Sequence, residues 1–555
     1  MSSVAIGRVS RVDPEAKTDG ICGLLRLTSD CAPGAHRIVR CSLPAAGMAN
    51  PLRLIRMSSP IDEWRRLRCI AGCTALLAAG CAVGPNFKPP PAPPVKGYTE
   101  APLQPTAATP GLAGGEAQHF QPGAGIPADW WRLFHSKSLD ALIAAALENN
   151  SDLKAAQAAL QVAYENVLAQ RGVFLPALSA SMGASRQKQS ELLAPVPNFP
   201  AVSSEFQYNL FTPQLTISYE PDIFGLNRRT FESLQAQEQA ARFQMIATWT
   251  TLSTNVVVTA VQVASLREQV EATRKLIDLE KQSLAILHLR FQRGDASGLD
   301  VSAQQSQLAQ AQAGLTTLVK QLRQTEHALA VLTGRFPDQQ PLMTFSLADL
   351  HLPRELPLSL PSALVAQRPD VRQARANLHA ASAQIGIAAA QRLPNIQLTA
   401  DAGSSALAIS QVFTSGTGFW GITASLTAPI FQGGQLLHQE RAAKAAYVQA
   451  AQQYRGAVLT AFQNVADSLV ALQEDAQALQ AAATAAHAAT RTLDLSQLQL
   501  HHGYISVFEL LAAEQAYQQA RMTLAQNQAN RFADTAALYQ ALGGGWWHNA
   551  GLNEP

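Results

Sequence analysis

Two stretches decide the fold. Asp152-Leu153-Lys154-Ala155-Ala156 leads through an Ala-rich run to Leu175-Pro176, and Asp370-Val371-Arg372-Gln373-Ala374 leads through a similar run to Leu393-Pro394. Position 152 corresponds to 370 and 176 to 394, a constant offset of 218. Each proline is followed by two alternating segments and then by a very long helical run. A duplication of helix, hairpin and long helix pair must serve one physical purpose in both halves.

After Pro176, Leu178, Ala180, Met182 and Ala184 alternate with Ser179, Ser181, Gly183 and Ser185. Phe211, Pro213, Leu215, Ile217 and Tyr219 then alternate with Thr212, Gln214, Thr216, Ser218 and Glu220. The second half repeats the pattern in Ile396, Leu398, Ala400 and Ala402, then in Trp420, Ile422, Ala424, Leu426 and Ala428. Period two with one apolar and one polar face predicts strands over 177–186, 210–220, 395–403 and 419–429. Strands of about ten residues match the ~9–11 that cross an outer membrane. Four strands cannot close a barrel, and lipid tolerates no open edge. Two copies would supply about eight strands, a barrel filled by its own side chains, whereas three supply about twelve and leave a lumen. A homotrimer is expected.

The helical runs are predicted over 228–293 and 436–501, with return helices over 299–332 and 507–542. Neither long run contains proline, so each spans roughly 100 Å at ~1.5 Å per residue. In the second, Val458, Val465, Leu472 and Leu479 recur at heptad spacing with Phe462, Leu469 and Ala476 between them, a coiled-coil seam. Such helices are too long for a compact domain and suit a wall. Gly294, within Arg293-Gly294-Asp295, and Gly503, within His502-Gly503-Tyr504, are the expected left-handed caps where the chain turns back. The fold class is mainly α with a small β part: duplicated helical hairpins forming an α-barrel, and four strands per copy contributed to a shared β-barrel. Trp130 to Asn150 reads as one short helix, with Ser151 or Asp152 capping the next.

Composition agrees with a conduit. Charged residues are 15 % of the 555, hydrophobic ones 47 %, aromatics 6 %, and the net charge is +2. Alanine, Gln, Ser and Thr fill the helices, which favours close packing through small side chains. No long basic stretch or stacking array points to nucleic acid. All six cysteines, Cys22, Cys31, Cys41, Cys69, Cys73 and Cys81, lie in the first 81 residues, so the rest is expected to lack disulfides and thiolate metal sites.

The beginning of the chain reads as an address. Arg65-Arg66-Leu67-Arg68 is a basic region and Cys69 to Ala79 a short apolar one, below the ~20 residues of a spanning helix. Leu77-Ala78-Ala79-Gly80-Cys81 resembles a bacterial lipobox. That resemblance implies a signal peptide over 57–80 and a covalent lipid on Cys81, N-acyl and S-diacylglycerol, as the only modification expected, with no other cofactor. Ala82, where inner-membrane lipoproteins typically carry Asp, points to the outer membrane. Residues 1–56, without periodicity, are expected to be a disordered or untranslated extension before Met57. Residues 81–128, rich in Pro and Gly, read as an extended lipidated tether, and 547–555 as a tail. The repeats are expected at 129–345 and 356–546.

The chain as a whole resembles the TolC-like outer-membrane factors, specifically NodT-type efflux lipoproteins, over about 77–546. The most specific pieces are Cys81-Ala82-Val83-Gly84-Pro85-Asn86-Phe87, Trp130-Trp131-Arg132-Leu133-Phe134 and Tyr219-Glu220-Pro221-Asp222-Ile223-Phe224-Gly225. Arg368-Pro369-Asp370-Val371 and Leu542-Gly543-Gly544-Gly545-Trp546 complete them. The resemblance implies a trimer with a twelve-stranded barrel in outer-membrane lipid and a periplasmic α-barrel. Partners would be a periplasmic membrane-fusion adaptor and an inner-membrane pump of the RND type. It further implies a pore gate at Phe508 and Glu509, with Ala512 where a second acid is usual. The turns of Arg293, Gly294, Asp295, Gly503 and Tyr504 would contact the adaptor.

No enzymatic constellation stands out. His501 and His502 are adjacent and cannot share a helix face, so no metal site is assigned to them. Gly543-Gly544-Gly545 lacks the lysine and strand of a phosphate loop. The expected function is a passive exit duct for drugs or other small toxic compounds. A duct for type I protein secretion shares the architecture, and a lipid-anchored periplasmic coiled-coil scaffold is the alternative of a different class. The lipobox and the Gly-Gly-Gly-Trp ending favour efflux, and the four alternating strands oppose the scaffold.

Overall fold

Caps and proline set the element boundaries. A computed structural model describes residues 82–95, 97–100, 102–189, 206–339 and 346–553. In chain order these form β1 (His119–Pro122), a 3-10 turn over Trp130–Phe134, α1 (Lys137–Asn149), α2 (Ser151–Gly172), β2 (Ala177–Gln189) and β3 (Phe206–Tyr219). Then come α3 (Leu226–Arg293), α4 (Gly298–Leu332), β4 (Glu355–Leu358), α5 (Pro361–Gln367) and α6 (Pro369–Ala390). β5 (Asn395–Ser404), β6 (Gly418–Thr427), α7 (Gln435–His501), α8 (Val507–Ala541) and the short α9 (Ala550–Asn553) complete the chain.

The expected single helix from Trp130 to Asn150 is two elements. His135 takes a left-handed φ of 53°, and Ser136 starts α1 afresh by accepting a hydrogen bond from the Leu139 amide at 3.4 Å. The cap of α2 is Asn150, one residue earlier than expected. Its Oδ1 accepts from the Asp152 and Leu153 amides at 2.9 and 3.0 Å. The first two strands run beyond 177–186 and 210–220, because the ladder continues through polar residues after the apolar alternation has ended. In the seam of α7, Ala461 is fully buried where Phe462 was expected. Phe462 instead flanks the seam, its ring 5.6 Å from Tyr98.

β2, β3, β5 and β6 form one antiparallel sheet in that order, so β2 and β6 are its edges. α3 and α7 leave the same end of that sheet, and at 68 and 67 residues each is about 100 Å long. The largest core lies at mid-length of the helices. Trp130 stacks on Tyr539 with centroids 5.1 Å apart, and Phe134 meets Phe532 edge-on. Burial of side chains this size stabilises by roughly 2–3 kcal/mol each.

The segment expected as an extended tether is a strap laid against the helices. The Val83 amide donates to Phe224 O at 3.1 Å, and buried Arg229 donates to Val83 O, Gly84 O and Asn86 Oδ1. Farther along, fully buried Arg531 of α8 donates to Gly114 O, Glu116 O, Thr106 Oγ1 and Leu472 O. Burial pushes its guanidinium down to about 10, while Asp475, Glu116 and Asp534 oppose the shift. Strap carbonyls thus gain a charged donor, and that donor gains partners inside the protein. β1 then pairs in parallel with β4, in the linker between the halves.

Candidate functional site: the four-stranded sheet and the helical tips

Cross-strand register sorts the sheet into two faces. Leu178 opposes Ile217 and Ala180 opposes Leu215, while Ile217 opposes Ala400 and Leu215 opposes Ala402. Ala400 opposes Ile422, Ala402 opposes Trp420 and Ile396 opposes Leu426, so one face is continuously apolar. It is bare: Trp420 is 78 % and Ile422 77 % exposed. A contiguous apolar surface of this size marks a membrane or partner contact. The other face carries Ser179, Ser181, Gln214, Thr216, Thr399 and Asp401. There the Asp401 carboxylate accepts from Gln214 Nε2 at 3.0 Å and Thr216 Oγ1 at 2.7 Å. Ten residues at ~3.4 Å give ~34 Å of strand, which at a tilt of ~45° covers about 24 Å, close to the ~25 Å apolar band of an outer-membrane barrel. No helix among the described residues is long and apolar enough to cross a membrane.

Sheet joins helix through the motif Tyr219 to Gly225. Asp222 accepts from the Asn227 and Arg228 amides at 3.0 and 2.9 Å, capping α3. Gly225 has φ +83°, and a Cβ there would meet Ala82 Cα at 2.6 Å. Cys81 itself lies outside the described residues, but its neighbour Ala82 is seated at this junction. The other motifs are structural too. Arg368 grips Asp370 and donates to Ala541 O at 2.8 Å, and Trp546 Nε1 donates to Gln367 O at 2.7 Å.

At the far end the two turns lie side by side. Gly294 and Gly503 have φ of +82° and +76°, the left-handed caps expected. Arg290 of α3 donates to Leu500 O and His501 O at the end of α7, tying one turn to the other. Arg293, Asp295 and Tyr504 are exposed there. Each return helix opens with a capping box. Ser297 Oγ accepts from the Asp300 amide while Asp300 Oδ2 accepts from the Ser297 amide; Ser506 and Glu509 repeat the exchange. Glu509 thus caps α8 through Oε2, with the Ser506 amide at 2.7 Å. It stays exposed beside Phe508, which is 51 % exposed, while Val507 and Leu510 on either side are buried.

A buried acidic pair was missed in the sequence. Glu280 of α3 and Glu514 of α8 are fully buried. Burial first, then the charge of Glu514, pushes Glu280 up to about 7; burial does the same to Glu514. Thr273, Leu276, Glu280 and Leu287 follow the seam of α3, so an acid at an apolar repeat position was the available signal.

Comparison with known proteins agrees with this geometry. The sequence profile described as outer membrane efflux protein matches residues 142–335 and 360–544, one segment in each half. The pyoverdine export outer membrane protein OpmQ of Pseudomonas putida is 32 % identical over 419 residues, 75 % of this chain and 88 % of that protein. The solvent efflux pump outer membrane protein SrpC, also from Pseudomonas putida, is 28 % identical over 85 % of this chain and 97 % of its own. The crystal structure of the Campylobacter jejuni CmeC outer membrane channel superposes with a TM-score of 0.73 at 21 % identity, covering 84 % of this chain and 95 % of that one. Sheet, hairpins and matched halves together make this chain a member of the outer membrane efflux protein family.

Proposed function

We propose that three copies of this outer membrane efflux protein close into one tube, the passive exit duct of a tripartite efflux system. One observation carries the reading: a sheet with a bare apolar face of membrane length keeps both edges, β2 and β6, unpaired within a single copy. Unpaired backbone is too costly in lipid, so the edges must meet other copies. The polar face then lines the lumen, and α3 and α7 extend it into the periplasm. The lipid-modified Cys81 would anchor in the inner leaflet, supported by the docking of Ala82 at the junction of sheet and helices.

The adjacent tips would receive the hairpins of a periplasmic adaptor, with an RND-type pump beneath. Arg293, Gly294, Asp295, Gly503 and Tyr504 offer that surface, and threefold copies of Phe508 and Glu509 form the gate. A wide duct selects little, so the pump chooses the cargo. The names of OpmQ and SrpC, a pyoverdine exporter and a solvent pump component, support small molecules over proteins.

The test is conductance. Purified protein inserted in a planar bilayer is expected to give discrete ion-conducting steps. Protein that inserts and never conducts, under conditions that separate the tips, would overturn the duct.

A further inference from the structure

We infer that Glu280 and Glu514 form a proton-binding joint that holds the two hairpins of a protomer together when protonated and loosens them when ionised. The inference rests on the duct reading above, because it concerns how the tip of that duct opens.

The joint sits at ~20 Å from the tip turns, 13 residues up α3 from Arg293 at ~1.5 Å each. It gathers three helices from both halves: Glu280 on α3, Gln304 and Gln307 on α4, Glu514 on α8. Glu280, Gln304 and Glu514 are all fully buried within a single copy. Among the described residues, both oxygens of each glutamate and both polar atoms of Gln304 lack a partner in good hydrogen-bond geometry, and the nearby Gln307 and Gln304 amides only partly offset the burial of Glu280 and Glu514. Gln304 faces Glu514 and Gln307 faces Glu280, while Gln515 Nε2 ties α8 to Gln307 Oε1 at 2.9 Å. Buried polar groups in such number are rarely left unmatched, and a buried carboxylate pair needs a positive charge between its members.

Among the described residues no side chain supplies that charge. The charge that acts on Glu280, among the described residues, is that of Glu514, and on α3 the neighbouring Lys281 pairs with Asp278 at the surface. From α4 only the two amides face the pair. From α8 the neighbour is the Gln515 amide, and α7 approaches with Leu493, packed on Leu510 and Ala513. A proton fits best. As neutral acids the two glutamates become donors, and the flanking amides become their acceptors and donors.

The sign follows. Both carboxyls bind protons more tightly in the packed joint than their ordinary value of 4.5 allows. Packing is therefore strongest below that value and weakens as pH rises through about 7. Two ionised carboxylates then repel across the line where α8 meets α3 and α4. The Arg290 contacts nearer the tip are made to the backbone carbonyls of Leu500 and His501, which do not titrate in this range.

Wild type and Glu280→Gln/Glu514→Gln protein should be compared in planar bilayers at about pH 5.5 and about pH 8, expecting roughly tenfold more open time at the higher pH for wild type. The double variant should stay closed and flat across that range. An equal rise in the variant, or no rise in wild type, would overturn the joint. Infrared difference spectra supply a readout independent of conduction. Of the protonated-carboxyl signal that titrates near neutrality, the part belonging to the joint falls in Glu280→Gln and is gone in the double variant. What remains there is the contribution of Asp534, which burial and its contact with Asp475 also push up to about 7. If the wild-type minus double-variant band titrates but no pore conducts, the duct fails and the joint stands; if the pore conducts and that difference band is absent, the reverse holds. A calcium- or EDTA-dependent change of open time at constant pH, absent from the double variant, would make the site a metal site and overturn the proton reading.

Discussion

The two halves share one topology and bury it differently. In the first half, α2 has only Leu153 and Val167 buried; its counterpart α6 buries ten residues between its neighbours. The long helices invert the asymmetry: α3 is buried along most of its length, while α7 is buried along a single seam. The outward side of α7 carries Leu437, Val448, Leu459 and Val470, spaced eleven apart and all exposed. Eleven residues make about three turns, so the four line up along one face of the helix. Exposed Tyr164 and Leu168, four residues apart, similarly share a bare face of α2. A duplication therefore yields one inner and one outer copy of each part. The outer copies are the faces that the proposed trimer would cover.

Mutation of the buried seam and of the bare stripe of α7 breaks this comparison most sharply. Val465→Asp puts an uncompensated charge in the fully buried seam, costing several kcal/mol, about 3–5, and is expected to abolish protease-resistant folded protein. Leu459→Asp, on the bare stripe, should leave the helical circular dichroism of the protomer intact and remove the trimer in sedimentation. A Leu459→Asp trimer as stable as wild type would remove the stripe from the interface.

A smaller contrast separates the mid-length core from the tip. A Cβ on Gly544, φ +72°, would meet Thr250 Cγ2 at 2.5 Å, whereas one on Gly294, φ +82°, meets nothing. Gly544→Ala is expected to cost about 2–3 kcal/mol from strain and overlap, and Gly294→Ala about 1 kcal/mol from backbone conformation alone. Thermal melts of the two variants decide it, and equal shifts would contradict the packing described.

The finest comparison sets Glu509 beside Asp300. Both close a capping box, worth about 1 kcal/mol, so Ser297→Ala and Ser506→Ala should loosen tip amides equally in hydrogen exchange. Conductance should tell the acids apart. Glu509→Ala and the cap-preserving Glu509→Gln are expected to raise single-channel conductance, and Asp300→Asn to leave it alone. Unchanged conductance in both Glu509 variants would reduce that residue to its cap.

Much of this was legible in the sequence. The offset repeat, the alternation at Leu178 to Ala184 and the proline-free runs carry sheet and hairpins, because period and punctuation are local properties. Inner and outer copies were not legible, since α2 and α6 read alike and differ only in what packs on them. The strap was missed for a similar reason: its Pro- and Gly-rich sequence has no period, and its order comes from the distant Arg229 and Arg531. Glu280 and Glu514 were hidden among ordinary helix acids until the helices were placed together.

Native mass spectrometry of the complex extracted intact from the outer membrane tests the central claim most directly. Three identical chains per particle are the predicted composition. A single membrane-inserted chain, its β2 and β6 edges facing lipid, would contradict the account.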